Sequence, residues 1–304
     1  MHSHSHHHHS HHQNHHPNEN TSSQRIGWAF VLNVSFTIIE FIGGWLTNST
    51  AIMADAVHDL GDSLAIGSAW LLNKVGGKQA DKHFSYGYKR LSLFGALINA
   101  VVLIVGSVWV LFEALPRLFA PQMPVAEGMF MLAILGVGVN GYAAYKLSEG
   151  ASLNERVLNW HLIEDVMGWV AVLIVSIILM LVDWPILDPV LSIGFTLFIL
   201  FNVFKTLRET LGLFLQAVPD QEAHQAISKD LLSFKQVADL HHLHFWSLDG
   251  EHHVLTAHLL LDSMLPADQL IVLKDQISLC LKKYNLAHTT IEFEFPEEVC
   301  RDKP

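Results

Sequence analysis

His58 and Asp62 stand four residues apart, and so do His161 and Asp165. Each pair lies in a stretch that otherwise reads as a membrane-crossing helix, about residues 50–74 for the first and 157–182 for the second. Four residues is about one helical turn, so each pair shares a face and is stacked about 6 Å apart. A carboxylate inside a bilayer costs several kcal/mol unless something partners it. Two imidazole nitrogens and two carboxylate oxygens make a tetrahedral set suited to a divalent ion such as zinc. Both ligand types bind metal only when deprotonated, so loading such a site displaces protons.

The elements that must position these pairs are long and apolar. The chain is 51% hydrophobic and only 15% charged, against about 25% charged in a soluble globular chain. Six apolar segments run through about 26–46, 50–74, 91–115, 125–147, 157–182 and 189–211. Each is near or above the ~20 residues that cross ~30 Å of hydrocarbon. Basic residues collect on alternate loops and at both ends: Lys78, Lys82, Lys89 and Arg90 after the second segment, Lys146 and Arg156 after the fourth, Lys205 and Arg208 after the sixth. The turn after the first segment and the loop after the fifth carry none, and the loop after the third has only Arg117. This asymmetry predicts that both termini face the cytoplasm. The net charge of −11, much of it after Leu215, argues against a nucleic-acid partner. Cys280 and Cys300 form no CxxC pair and fit a reducing compartment.

The ends differ from the middle. Ten of the first sixteen residues are histidine, broken by Ser, Gln and Asn, with nothing apolar to bury. This segment reads as a disordered metal-gathering tail over residues 1–24 rather than as an expression tag or a secretory signal. Residues 25–213 read as the membrane domain and 214–304 as a soluble cytoplasmic domain. In the latter, an amphipathic helix opening at Pro219 and Asp220 is followed by strands over 237–248 and 252–261, a helix over 266–284 and a strand over 289–295. That order predicts a small ferredoxin-like α+β sandwich. Its histidines are numerous. Strand alternation places His242 and His244 on one face and His241 on the other.

Other polar residues in the spans have milder readings. Asp55, three residues before His58, reads as a group that orients or caps a ligand. Glu164 points about 100° away from Asp165 and reads as structural. Asn33, Glu40, Asn99 and Glu113 read as helix-joining or interfacial groups.

The segment Ser49-Thr50-Ala51-Ile52-Met53-Ala54-Asp55-Ala56-Val57-His58-Asp59-Leu60-Gly61-Asp62 resembles the second-span signature of the cation diffusion facilitator family. Phe84-Ser85-Tyr86-Gly87-Tyr88-Lys89-Arg90 resembles the loop that follows it, and Leu240–Leu248, Thr256–His258 and His288–Glu294 resemble the strands of its tail domain. The likeness covers about residues 25–296 and is greatest to the zinc-exporting bacterial branch. It implies six spans, a cytoplasmic domain and a transport site made by His58, Asp62, His161 and Asp165. It also implies a cytoplasmic metal site near a dimer interface, with His241, His258, His288 and Glu294 as candidate ligands. Where some relatives hold a second ion between spans two and three, this chain has Phe84 and Tyr88, with Asp81 and His83 out of register, so no such site is expected.

The resulting expectation is a homodimeric secondary transporter in the inner membrane, not an enzyme. It would move zinc, with cadmium, cobalt or nickel as further substrates, out of the cytoplasm in exchange for protons. No cofactor is expected; zinc is cargo and regulatory ligand. A membrane metal sensor without transport is an alternative. An intramembrane zinc hydrolase is another, but it needs an open coordination position and an acid–base residue such as Glu164 or Asp55. Four filled protein ligands argue against it.

Overall fold

The computed structural model describes residues 19–76, 80–148 and 153–302. Six long helices come first: α1 (Glu19–Thr47), α2 (Thr50–Gly76), α3 (Leu91–Phe119), α4 (Ala126–Ser148), α5 (Leu153–Leu181) and α6 (Leu187–Phe214). Even α4, at 23 residues, spans about 35 Å, more than the hydrocarbon thickness. Large apolar side chains such as Leu32, Trp45, Phe112, Leu181 and Phe201 point outward and stay exposed. In water such a surface would aggregate; in lipid it is the correct solvent.

Among the described residues, α1, α3, α4, α5 and α6 each hold a stretch long and apolar enough to cross a membrane by itself. The described part of α2 does not, because it carries Asp55, Asp59 and Asp62. It packs against α1, α3 and α6 and touches α5, so protein rather than lipid surrounds its polar residues. Asn33 of α1 donates to Ser63 of α2 at 3.1 Å, a helix-joining bond of the kind expected for that asparagine. Gly61 lets α3 approach closely: a Cβ there would stand 2.5 Å from Leu103. The α1–α2 turn is tight because Asn48 takes φ 54° and Ser49 N–H reaches back to Gly44 O at 3.0 Å, a left-handed helix ending that asparagine tolerates. α1 starts at Glu19, so residues 19–24, expected in the tail, are helical; the histidine-rich residues 1–18 lie outside the described residues.

The cytoplasmic domain follows as α7 (Gln221–Leu232), β1 (Val237–Ser247), β2 (His253–Leu261), α8 (Ala267–Leu281), a 3-10 turn at Lys282–Tyr284 and β3 (Leu286–Glu294). The sheet order is β1-β2-β3, with β1 and β2 antiparallel and β2 and β3 parallel. The parallel pair needs a crossover, which α8 supplies. Leu255, Ala257, Leu259 and Leu261 face the helices and pack with Ile227, Leu231, Leu273 and Ile277. Alternation then sends His258, Glu292 and Glu294 to the uncovered face.

One correction concerns β1. The strand has a bulge between His241 and His244, and His242 adopts φ 49°. An extra residue breaks the two-residue alternation. The His242 ring therefore sits 5.3 Å from the His241 ring and 5.0 Å from the His258 ring, on the face from which simple alternation excluded it.

The β1–β2 hairpin is held by Asp249. Its carboxylate accepts from Glu251 N–H at 2.9 Å and His252 N–H at 2.7 Å and meets the His252 ring at 2.7 Å. Burial pushes the carboxyl up, but these hydrogen bonds outweigh it and hold the group below its ordinary value. A depressed carboxyl stabilises the fold above its unfolded pKa, and that stability is lost as pH falls through the folded one. Asp249→Ala is therefore expected to cost about 1 kcal/mol at neutral pH, read as faster hydrogen exchange of hairpin amides. The gap between variant and parent should close in acid, below the usual carboxylate range.

Candidate metal centres

The start of α2 is fixed by a carboxylate from α6. Asp188, 1% exposed, accepts from Ser49 Oγ at 2.5 Å, Thr50 N–H at 2.7 Å, Thr50 Oγ at 2.8 Å and Ala51 N–H at 3.3 Å. Ser49 Oγ in turn accepts from Ile52 N–H at 3.2 Å. Helix N-termini leave N–H groups without internal partners and carry partial positive charge, so a buried anion suits this spot. Ser192 of α6 donates to Thr50 O at 2.9 Å and completes the joint. Asp188 was given no role in the sequence reading.

Two turns along α2 from this joint, His58 and Asp62 face α5. His58 Nε2 lies 3.8 Å from Asp62 Oδ2 and 3.8 Å from Asp165 Oδ1. One donor atom from each of the three falls within 4.8 Å of the others. These separations are too long for direct hydrogen bonds. A tetrahedral ion about 2.1 Å from each donor sets donors about 3.4 Å apart, so His58 would have to approach each carboxylate by only a few tenths of an ångström to share an ion with it. The side chains of His58 and Asp62 are each 25% exposed and that of Asp165 10%, so the site is recessed yet reachable. His161 lies on α5 one turn before Asp165; its side chain lies outside the described residues.

Asp55 is buried one turn before His58, against α5, where a Cβ on Gly168 would come 3.5 Å from its Oδ1. Its Oδ2 has no hydrogen-bond partner among the described residues. Asp59, given no role by the sequence reading, is buried and faces Glu40 of α1. In the loop between α2 and α3, Asp81 is a turn cap: it accepts from His83 N–H, Phe84 N–H and Tyr88 OH at 2.7–2.9 Å. The rings of Phe84 and Tyr88 pack 4.7 Å apart.

On the open face of the sheet, His241 and His258 are direct cross-strand partners. Glu294 reaches both, with Oε2 2.9 Å from His241 Nε2 and Oε1 2.8 Å from His258 Nδ1. Burial pushes the Glu294 carboxyl up, yet the hydrogen bonds from Cys300 and His258 and the charges of His241 and His258 prevail and hold it below its ordinary value. His288 is not in this group. It is exposed, its Nε2 lies 3.1 Å from Thr290 Oγ, and its ring meets that of Tyr86 at 5.8 Å. Cys300, which the sequence reading passed over, does join: one donor atom each from His241, His258, Glu294 and Cys300 lie within 4.8 Å of one another.

A bundle of membrane-length helices with a recessed His–Asp–Asp cluster, joined to a small α+β domain with its own ligand cluster, defines a multi-pass membrane protein for metal cations. Comparison with known proteins gives the family. Residues 28–215 match the cation efflux transmembrane domain, and residues 219–295 match the cation efflux protein cytoplasmic domain. The chain is 31% identical to zinc transporter ZitB of Pectobacterium atrosepticum over 298 residues, 97% of this chain and 89% of the relative. It is 31% identical to metal cation efflux system protein CzcD of Cupriavidus metallidurans, covering 88% and 84%. It is 28% identical to a cadmium, cobalt and zinc/H(+)-K(+) antiporter of Bacillus subtilis, covering 88% and 87%. The chain belongs to the cation diffusion facilitator family. It is a metal-cation efflux transporter, not an enzyme.

Proposed function

We propose that this protein exports Zn2+, with Cd2+, Co2+ and Ni2+ as further cargo, from the cytoplasm across the inner membrane in exchange for protons. The observation that carries the reading is the convergence of His58, Asp62 and Asp165 inside the bundle; His161, four residues before Asp165, would supply the fourth donor. Two carboxylates balance the charge of one divalent ion, so the loaded site is neutral. An emptied site would leave two bare carboxylates in oil, which is costly; protons taking the ion's place remove that cost and couple the two flows. Asp55, packed against α5 one turn before His58, helps orient the ligands. The names of the relatives, a zinc transporter and a cadmium, cobalt and zinc/H(+)-K(+) antiporter, support the cargo and an exchange that involves protons.

Both termini face the cytoplasm, in line with the basic residues on alternate loops. The chain works as a homodimer through its cytoplasmic domain, where His241, His258 and Glu294 bind a regulatory metal ion. His288 is left out of that set. The histidine-rich tail gathers metal near the entrance. Reconstitution tests the exchange. Proteoliposomes under an imposed pH gradient are expected to move zinc with opposite proton flow. Zinc movement indifferent to collapse of the gradient would refute the exchange, and no zinc movement at all would favour a sensor.

A further inference from the structure

The C-terminal segment doubles back onto the uncovered face of the sheet. β3 ends at Glu294, and a turn closed by Glu298 N–H donating to Phe295 O at 2.8 Å reverses the chain. The Glu298 carboxylate accepts from Phe295 N–H at 3.1 Å and fixes the turn. Cys300 is thereby carried back to the histidines, its Sγ 3.6 Å from His258 Nδ1. Beyond it, Arg301 forms a two-pronged pair with Glu292, and Asp302 Oδ2 lies 3.6 Å from His258 Nε2.

We propose that Cys300 completes a closed four-donor site with His241, His258 and Glu294 for a thiophilic divalent ion, zinc or cadmium, and that the bound ion fastens the C-terminal tail to the sheet. The proposal rests on the reading that the cytoplasmic domain binds metal and adds the fourth donor and its consequence. A zinc ion about 2.3 Å from sulfur and about 2.0–2.1 Å from nitrogen sets those donors about 3.5 Å apart at the tetrahedral angle. The observed 3.6 Å between Cys300 Sγ and His258 Nδ1 is that spacing. The 2.8 Å contact between His258 Nδ1 and Glu294 must open by about half an ångström, with the ion replacing the proton between them. As the ion binds, the Cys300 thiol gives its proton to water. Thiolate and carboxylate then cancel the ion's charge with two neutral imidazoles. No donor from another chain is required. A filled four-donor shell holds its ion rather than passing it on, and thiolate favours zinc and cadmium over manganese and magnesium.

Cadmium NMR on the full chain in detergent separates the possibilities, because a sulfur ligand moves the metal resonance far from the range of nitrogen and oxygen ligands. The transport site has no thiol. One sulfur-shifted resonance is expected, kept in Cys280→Ser and lost from that range in Cys300→Ser. Zinc affinity of this site should fall at least about tenfold in Cys300→Ser. A resonance lost in His258→Ala but unmoved by Cys300→Ser overturns the proposal while leaving the cytoplasmic metal reading intact. No resonance sensitive to His258→Ala sinks both. A second measurement needs no variant: zinc should shield Cys300, but not Cys280, from iodoacetamide. Equal labelling with and without zinc would count against Cys300 as a ligand.

Discussion

Asp165→Asn is expected to lower zinc flux in proteoliposomes by at least about 100-fold, with the helices intact by circular dichroism. Asparagine keeps the volume of aspartate and removes its charge. With Asp62 as the remaining carboxylate, a bound Zn2+ leaves one uncompensated positive charge in the bundle. A charge at the bilayer centre costs about 2.5–3.5 kcal/mol, which is about two orders of magnitude in binding. The same argument covers Asp62→Asn. His58→Asp changes the site the other way. It exchanges a nitrogen donor for an oxygen and adds a negative charge, so the hard-cation character rises. Zinc discrimination over manganese should weaken while transport of some metal persists. Unchanged zinc flux in both asparagine variants would remove His58, Asp62 and Asp165 as the transport site.

Asp188→Ala should be the most damaging substitution outside the metal centres. Alanine would leave Thr50 N–H and Ala51 N–H at the start of α2 without the acceptor they now share. Each buried donor left unsatisfied costs about 1–3 kcal/mol, and the lost anion at the helix start adds up to about 1 kcal/mol. The expected sum is about 2–7 kcal/mol, a large part of the stability of an ordinary domain. The readout is the thermal unfolding midpoint in detergent and the fraction of monodisperse protein. Asp188→Asn restores one acceptor without the charge and should recover part of the loss. Because Asp188 clamps rather than ligates, zinc affinity of the surviving Asp188→Asn protein should match the parent. A large affinity loss with unchanged unfolding would instead make Asp188 part of the metal pathway.

How far the chain could be read in advance depended on how local each signal was. The one-turn spacing of His58 with Asp62 is a property of a single helix, so it was visible without a structure, as were the strands, whose apolar side chains alternate. Features made by distant segments were not. Asp188 meets Thr50 from 138 residues away, and nothing near either residue announces the other. Cys300 reaches His258 across 42 residues, through a turn that Pro296 marks as a bend without showing where the chain beyond it goes. His242 was misplaced for a different reason. A bulge costs one residue of register, and a histidine at positive φ is uncommon enough that regular alternation was the better guess. His288 fell outside the ligand group because β3 begins at Leu286 and carries it to the rim near Tyr86 rather than beside Glu294.

The polarity of α2 also bears on how the chain is made. A ribosome delivers α1 and α2 first, and α2, which carries the ligands His58 and Asp62, is the helix least able to enter lipid unaided over its described residues. Its amino end acquires its acceptor only when Asp188 has been synthesised, 138 residues after Thr50. The Asn48 turn lets α2 enter folded back on α1, as a hairpin with Asn33 already opposite Ser63. Until α6 arrives, the newborn protein must keep its most polar helix in the bilayer with only part of its eventual company. A cell short of membrane-insertion capacity would therefore be expected to lose α2, and with it the ligand pair His58 and Asp62, before any other span.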